Sequence, residues 1–252
     1  MSVTRLVVSA VHGIPEIRPG DDLASLIAGA VRAQGEELRD GDVLAVAQKI
    51  VSKSEGRIVH LSDVVPSERA LAMAKEAGKD PRQLEVVLGE TAKIVRWAHG
   101  VLISETRHGF VCANAGVDRS NAGAPDTVIL LPIDPDASAT RLRDAIRART
   151  GATVAIVVTD TFGRAWREGH MNVAIGIAGL PALKRYMGQV DPEGYELRVT
   201  EIAIADEVAA AAELVMGKLD RCPVAIVRGL RLDESAETAR EYVRPAERDL
   251  FR

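Results

Sequence analysis

Aromatic residues make up only 3% of this 252-residue chain. The hydrophobic share is 47%, so a full core is possible, but aliphatic side chains and alanine must fill it. Cysteine is nearly absent. Cys112 and Cys222 show no CxxC spacing, and a reduced, cytoplasmic interior is the simplest home for them. No run of eighteen apolar residues and no charged-then-apolar leader occurs, so neither a membrane span nor a typical export signal is expected. A basic excess is missing too. The formal charge is −4, which argues against a general nucleic-acid binder. There is no GxxxxGKS or GxxxxGKT, no GxGxxG after a strand and no GxSxG, so P-loop, Rossmann and serine-hydrolase sites have no support. His108 and Cys112 are four apart in an expected strand, about 13 Å, too far to share one zinc ion.

What the chain does have is many short apolar runs mixed irregularly with helical stretches. That mixture favours an α+β fold over a regular βαβ repeat. Strands are expected at 5–10, 42–46, 57–61, 128–131, 152–158, 173–177, 198–204 and 224–227. The stretches 94–103 and 109–115 read as paired strands around a turn. Helices are expected at 23–33, 67–77, from Pro81, at 137–150 closed by Gly151, and at 206–216 ended by Gly217. The charged tail from Asp233 reads as a surface helix. With no repeat or long linker, residues 1–252 read as a single domain, with a smaller inserted part around 60–110.

Two aspartate-bearing stretches stand out: Gly116-Val117-Asp118-Arg119-Ser120-Asn121 and Thr159-Asp160-Thr161-Phe162-Gly163-Arg164. Each aspartate ends or nearly ends an apolar run. Alone, either reads first as a turn or cap residue bonded to nearby backbone. Together, from strand ends some forty residues apart, they suit a hard divalent cation, with arginines nearby for phosphate. Thr161 adds an oxygen donor, and Asn121 a contact to a nucleotide or to the carboxylate. Gln48-Lys49-Ile50-Val51-Ser52-Lys53 carries two lysines four apart, directly after an expected buried strand. They form either a solvated face or a pair of point charges for phosphate oxygens. Gly13-Ile14-Pro15-Glu16 is either a plain turn or a backbone-lined pocket for a base or ribose. Arg107, His108, Arg164, Trp166, Arg167 and His170 read as a cationic set in glycine-bearing loops, either plain surface or a site for an anionic substrate. Glu207 and Glu213 are solvent-facing or complete a metal shell.

Three segments carry a resemblance: 48–57, 106–121 and 159–169. They are similar to the coenzyme F420-0:γ-glutamyl ligase family, and the similarity runs from about Gly13 to about Gly229. The resemblance implies an unusual mixed-sheet ligase fold, unrelated to P-loop, Rossmann and ATP-grasp enzymes, in a homodimer. The length fits a ligase without a fused flavin-binding domain. It implies GTP as phosphoryl donor and L-glutamate as the incoming amine. The acceptor is the lactyl-phosphate arm of coenzyme F420-0, and further glutamates are γ-linked. Two Mg²⁺ or Mn²⁺ ions per site and K⁺ come with the family. By motif match, Asp118 and Asp160 hold one divalent ion and Thr161 contacts a second. Gly13, Ile14, Pro15, Glu16, Gln48, Lys53 and Asn121 line the GTP site. Lys49 or Lys53 would neutralise charge during phosphoryl transfer, with Asp118, Asp160 and Lys53 as the catalytic set. Rival readings are a nucleotide-responsive regulatory protein on the same metal site and a metal-dependent phosphohydrolase.

Overall fold

A computed structural model describes residues 5–250. In chain order its strands are β1 (Val7–Ala10), β2 (Val43–Ala47), β3 (Ile58–His60), β4 (Thr91–Ala98), β5 (Val101–Thr106), β6 (Val111–Ala113), β7 (Thr127–Ile129), β8 (Ala155–Arg164), β9 (Arg167–Ala178), β10 (Leu183–Arg185), β11 (Glu201–Ala203) and β12 (Val224–Arg228). Its helices are α1 (Leu23–Ala33), α2 (Gln48–Ser54), α3 (Glu68–Ala77), α4 (Pro81–Glu90), α5 (Pro135–Thr150) and α6 (Ile204–Met216). The architecture is α+β, built on a mixed five-stranded sheet in the order β1-β12-β2-β8-β9. Only the β2–β8 pair is parallel.

The two faces of this sheet carry different side chains, because successive strand residues point to opposite sides. Leu44, Val46, Ile156, Val158, Ile175, Val224 and Ile226 pack in one cluster with α1, α2 and α5. Ala45, Ala155, Ala174 and Ala225 lie in the cluster on the other side, with Ala205, Ala209 and Ala212 of α6. On α6 the buried positions 205, 208, 209, 212 and 216 follow the helical repeat. Alanine on both surfaces lets this helix lie close to the strands. The shortage of aromatics is therefore answered by branched aliphatics on both faces, interleaved with alanine on the side where α6 packs.

Helix ends follow local chemistry. Asp22, Ser67, Asp80 and Asp134 each accept a backbone N–H of the first turn of α1, α3, α4 and α5. Gly78 and Gly151 end α3 and α5 in the left-handed conformation. Residues 61–113 carry α3, α4 and an antiparallel sheet β4-β5-β6. Leu61, Val87 and Leu102 centre one apolar cluster there, and Ala70, Ala74 and Leu84 another.

Three expectations are corrected. The stretch 94–103 is not one strand but the two arms of the β4–β5 hairpin, which turns at His99-Gly100, both with positive φ. The tail forms only short 3-10 turns, Ala239–Tyr242 and Ala246–Arg248, not a helix. Its register is set by tertiary bonds: Asp136 accepts Ala239 N, and Tyr242 Oη donates to the Ala182 carbonyl. Finally, β8 does not stop at Val158. It runs on through Asp160 to Arg164, because β9 pairs with it as far as Arg167. Arg164, Trp166, Arg167 and His170 thus sit on one long hairpin rather than in separate loops.

Candidate active site

The parallel pairing of β2 and β8 sets Ala47 opposite Thr159. Both strands run to the same end of the sheet. There β2 passes into α2 and delivers Gln48, Lys49 and Lys53, while β8 delivers Thr159, Asp160 and Thr161. Ile14, Pro15, Glu16, Asn121 and Gly123 come in from loops. The end of α6 and the loop after it add Glu213, Lys218 and Arg221. These residues surround a cavity of about 650 Å³.

The lysines of α2 are not a solvated face. Lys53 is 6% exposed and its ammonium pairs with the Glu16 carboxylate. Lys49 Nζ lies 2.7 Å from Asp118 Oδ2 and 2.5 Å from Ser120 Oγ. Helical spacing of four puts both ammonium groups on one side of α2.

Asp118 stands behind Lys49 and does not itself line the cavity. Its backbone exchanges hydrogen bonds with Ile129 at 3.0 and 2.8 Å. Its carboxylate accepts from Ser120 N at 2.7 Å and Ser120 Oγ at 2.9 Å, as a turn aspartate does. Burial alone would raise this carboxyl. Lys49 and the Ser120 donors outweigh it and hold the group below its ordinary range.

Asp160 behaves oppositely. By surface it is half-buried, yet protein packs round it on most sides. Burial pushes its carboxyl up to about 7, and repulsion from Asp118 adds to the rise. One backbone N–H, from Thr161 at 2.8 Å, and the more distant Lys49 and Lys218 offset it only in part. A carboxyl in this state lacks positive charge, and a cation is what would restore it.

Two polar atoms at the cavity wall have no protein partner. They are Gln48 Nε2 and Thr159 Oγ1, each on a residue 1% exposed. Ser52 Oγ donates to Gln48 Oε1 at 2.8 Å and so leaves the amide nitrogen over. Unpaired buried polar groups are costly, and a polar ligand would satisfy them.

The donor set fits a hard cation. Asp118, Asp160 and Thr161 offer only oxygen. Among the described residues no group of three or more His, Cys, Asp or Glu could hold an ion. Two carboxylates and a hydroxyl are a donor type that Mg²⁺ takes together with waters and substrate phosphates.

Of the residues expected from sequence, Ile14, Pro15, Glu16, Gln48, Lys49, Lys53, Asn121, Asp160 and Thr161 meet at one cavity. Gly13 adjoins it without lining it. A Cβ there would meet open space, so its φ of +82° is what favours glycine, not close approach. Asp160 sits within a strand, not at a strand end. Glu213 is at the wall, whereas Glu207 faces outward. Arg107 donates to the Gly89 carbonyl, and His108 Nε2 lies between the Pro132 and Ile133 carbonyls. Arg164 closes the β8–β9 hairpin on the Glu168 and Gly169 carbonyls. None of these three side chains lines the cavity. Sequence reasoning missed Thr159, Asn172, Lys218 and Arg221. Gly217-Lys218 and Arg221 follow a helix end and had a readable signal, cations beside a glycine. Asn172 had none, since only strand pairing brings it to Thr161.

The profile of the F420-0:Gamma-glutamyl ligase family matches residues 13–229. A coenzyme F420:L-glutamate ligase of Methanothermobacter thermautotrophicus is 45% identical over 248 residues, covering 96% of this chain and 97% of that one. One of Methanopyrus kandleri is 48% identical over 242 residues, 94% of each. One of Archaeoglobus fulgidus is 41% identical over 249 residues, 98% and 97%. The motifs that build the cavity wall fall inside the matched span, and similarity at this level over whole chains leaves one assignment: this chain belongs to the F420-0:γ-glutamyl ligase family.

Proposed function

We propose that the protein is a GTP-dependent ligase. It joins the amine of L-glutamate to the terminal carboxylate of the lactyl-phosphate arm of coenzyme F420-0, and adds further glutamates through the γ-carboxyl. The names of the full-length relatives support glutamate ligation. The observation that carries the nucleotide half is the meeting of Asp160, Thr161, Lys49 and Lys53 at one cavity with unpaired donors in its wall. A carboxylate does not condense with an amine in water until its oxygen becomes a leaving group. Transfer of the GTP γ-phosphoryl to it gives an acyl phosphate, which the glutamate amine then opens. Such a transfer needs positioning and charge neutralisation more than a protein nucleophile.

Lys49 and Lys53 stand ready to take phosphate oxygens. Each now rests on a carboxylate with which nucleotide phosphates would compete for the ammonium. Asn121, held at φ +54°, and Ile14 to Glu16 frame the same end of the cavity. Asp118, Asp160 and Thr161 would hold Mg²⁺ or Mn²⁺, which when bound supplies Lewis-acid charge neutralisation at the transferring phosphoryl. Potassium dependence and a cytoplasmic homodimer belong to the same proposal. No helix among the described residues is long and apolar enough to cross a membrane.

The deciding experiment incubates the protein with GTP, Mn²⁺, L-glutamate and acceptor whose terminal carboxylate carries oxygen-18. Mass spectrometry should show glutamyl product, GDP, and one labelled oxygen in phosphate per amide formed. Label in GMP, or unlabelled phosphate beside amide product, would overturn the acyl phosphate. Phosphate released without acceptor would indicate a phosphohydrolase, and no turnover at all a binding protein.

A second test concerns Lys53. Lys53→Ala should raise the KM for GTP about tenfold to a hundredfold, the worth of one charge-assisted hydrogen bond. The KM for glutamate should stay within about threefold, about 0.6 kcal/mol on that scale. Steady-state kinetics with each substrate varied checks this. A shift in the glutamate KM instead would move Lys53 to the acceptor side.

A further inference from the structure

Asn172 lies on β9, directly opposite Thr161 of β8. It is 6% exposed and lines the cavity. Thr161 Oγ1 donates to Asn172 Oδ1 at 2.8 Å. The amide nitrogen Nδ2 makes no hydrogen bond among the described residues. This repeats the arrangement at Gln48, whose oxygen is taken by Ser52 Oγ and whose nitrogen is left over. Two carboxamides thus have their oxygens occupied by hydroxyls, and each leaves N–H donors for the cavity. With its proton spent on Asn172, Thr161 keeps its lone pairs for an electron-poor partner.

The sheet order separates the two amides. β8 lies between β2 and β9. Gln48, Lys49 and Lys53 follow β2, whereas Asn172 sits on β9. Asp160 and Thr161 are therefore flanked by ammonium groups on one side and by a neutral donor on the other. In phosphoryl transfer the entering and leaving oxygens lie roughly in line, on opposite sides of phosphorus. Phosphates of the donor nucleotide suit the lysine side. The group that enters from the β9 side is then the phosphoryl acceptor.

We infer that Asn172 donates through Nδ2 to an oxygen of the carboxylate being activated. The inference rests on the ligase reading above. A neutral N–H suits this task. A full positive charge would bind the carboxylate more strongly and blunt its oxygen as a nucleophile. In the first step the other carboxylate oxygen, the one Asn172 does not hold, bonds to the γ-phosphorus. The bond to the β,γ-bridging oxygen breaks, and GDP leaves with its electron pair. In the second step the glutamate amine adds to the carbonyl carbon, and negative charge builds on the carbonyl oxygen that Asn172 holds. The bond to phosphate then breaks, phosphate takes the pair, and the amine proton passes to it. One donor serves both steps, weakly in the ground state and strongly when charge develops.

The test pairs two isosteric changes, Asn172→Asp and Gln48→Glu, in the full-length protein with GTP, Mn²⁺, L-glutamate and F420-0. Asn172→Asp still accepts from Thr161 but replaces the donor with an oxygen. It should lower kcat/KM for F420-0 by about a hundredfold to a thousandfold, the range for losing an oxyanion donor. Its dissociation constant for GDP should stay within about threefold. Gln48→Glu should give the opposite division, weakening GDP more than F420-0. If Asn172→Asp does not fold, judged by its melting curve, Asn172→Ser is read the same way, since its hydroxyl is too short to reach. Near-normal kcat/KM for F420-0 in the folded variant would overturn the inference, as would a loss confined to GDP. Wild-type protein that forms no glutamyl product would instead overturn the ligase reading. That separates the two failures.

Discussion

Asp160→Asn should abolish ligase turnover, lowering kcat by a thousandfold or more, an amount of the order expected when charge stabilisation at a transferring phosphoryl is lost. The substitution keeps the size of the side chain and can still accept the Thr161 N–H. It removes only the charge that a cation would need. The same residue should show the reverse effect on stability. Burial raises the Asp160 carboxyl to about 7 in the fold, against an ordinary value of 3.8. A raised carboxyl penalises the folded state from the unfolded value upward, and the penalty is complete above the folded value. With divalent cation chelated, the asparagine variant should therefore melt no lower than wild type at pH 8. Any advantage should fade toward pH 4. Loss of activity together with an equal or higher Tm marks a group kept for function at a cost to stability. Full activity in Asp160→Asn at ordinary Mg²⁺ would remove the cation from this site. Asp118→Asn should also inactivate, since it removes the second carboxylate proposed for the cation and the counter-charge that holds Lys49.

Gly176→Ala is expected to be the most destabilising single-methyl change in the sheet. Gly176 lies in β9 opposite Val158. The first turn of α5 crosses it so closely that a Cβ would fall 2.4 Å from the Pro135 carbonyl carbon and oxygen. These are backbone atoms, so no rotamer relieves the clash. Either α5 lifts or β9 shifts. Both would break the bonds from Ile177 N and Ala239 N to Asp136, which tie β9, α5 and the tail together. The cost should reach about 3 kcal/mol or more, the upper range for overpacking a core. For a chain of this length that is a fall in Tm of roughly 6–12 °C. Thermal melts of the purified variant check it. Activity should fall as well, because Asn172 is four residues back along the same strand. A Tm within about 2 °C of wild type, less than about 1 kcal/mol on this scale, would mean that α5 and β9 are not in contact as described.

Much of this molecule was legible along the chain. Helix α1 was bounded correctly by Asp22 and by its apolar repeat, and α5 by Gly151, because caps and periodicity are local properties. The alternation of Ala45 and Val46, or Ala155 and Ile156, declares strands but not which face meets which helix. The hairpin hidden in 94–103 escaped because His99 supplies a positive φ without a turn signature, and Gly100 alone was not enough. The tail misled because its charges suggest a helix, while Asp136 and Tyr242 hold it in another shape.

The site divides in the same way. By itself the sequence determined the family and the chemical types present: two aspartates in short motifs, two lysines four apart, and the glycine-proline turn at Gly13 to Glu16. These are properties of residues in order, and each motif is continuous. Only the tertiary structure decided their states. Asp118 and Asp160 look alike in sequence, yet one is held below the ordinary carboxylate range and the other raised to about 7. The difference is that Lys49 reaches Asp118 directly, while Asp160 keeps a single backbone donor at close range. Sheet order likewise put Asn172 beside Thr161 and the lysines across from it. Charge and hydrogen bonding act over a few ångströms of space, and the distance between two residues along the chain says little about that separation.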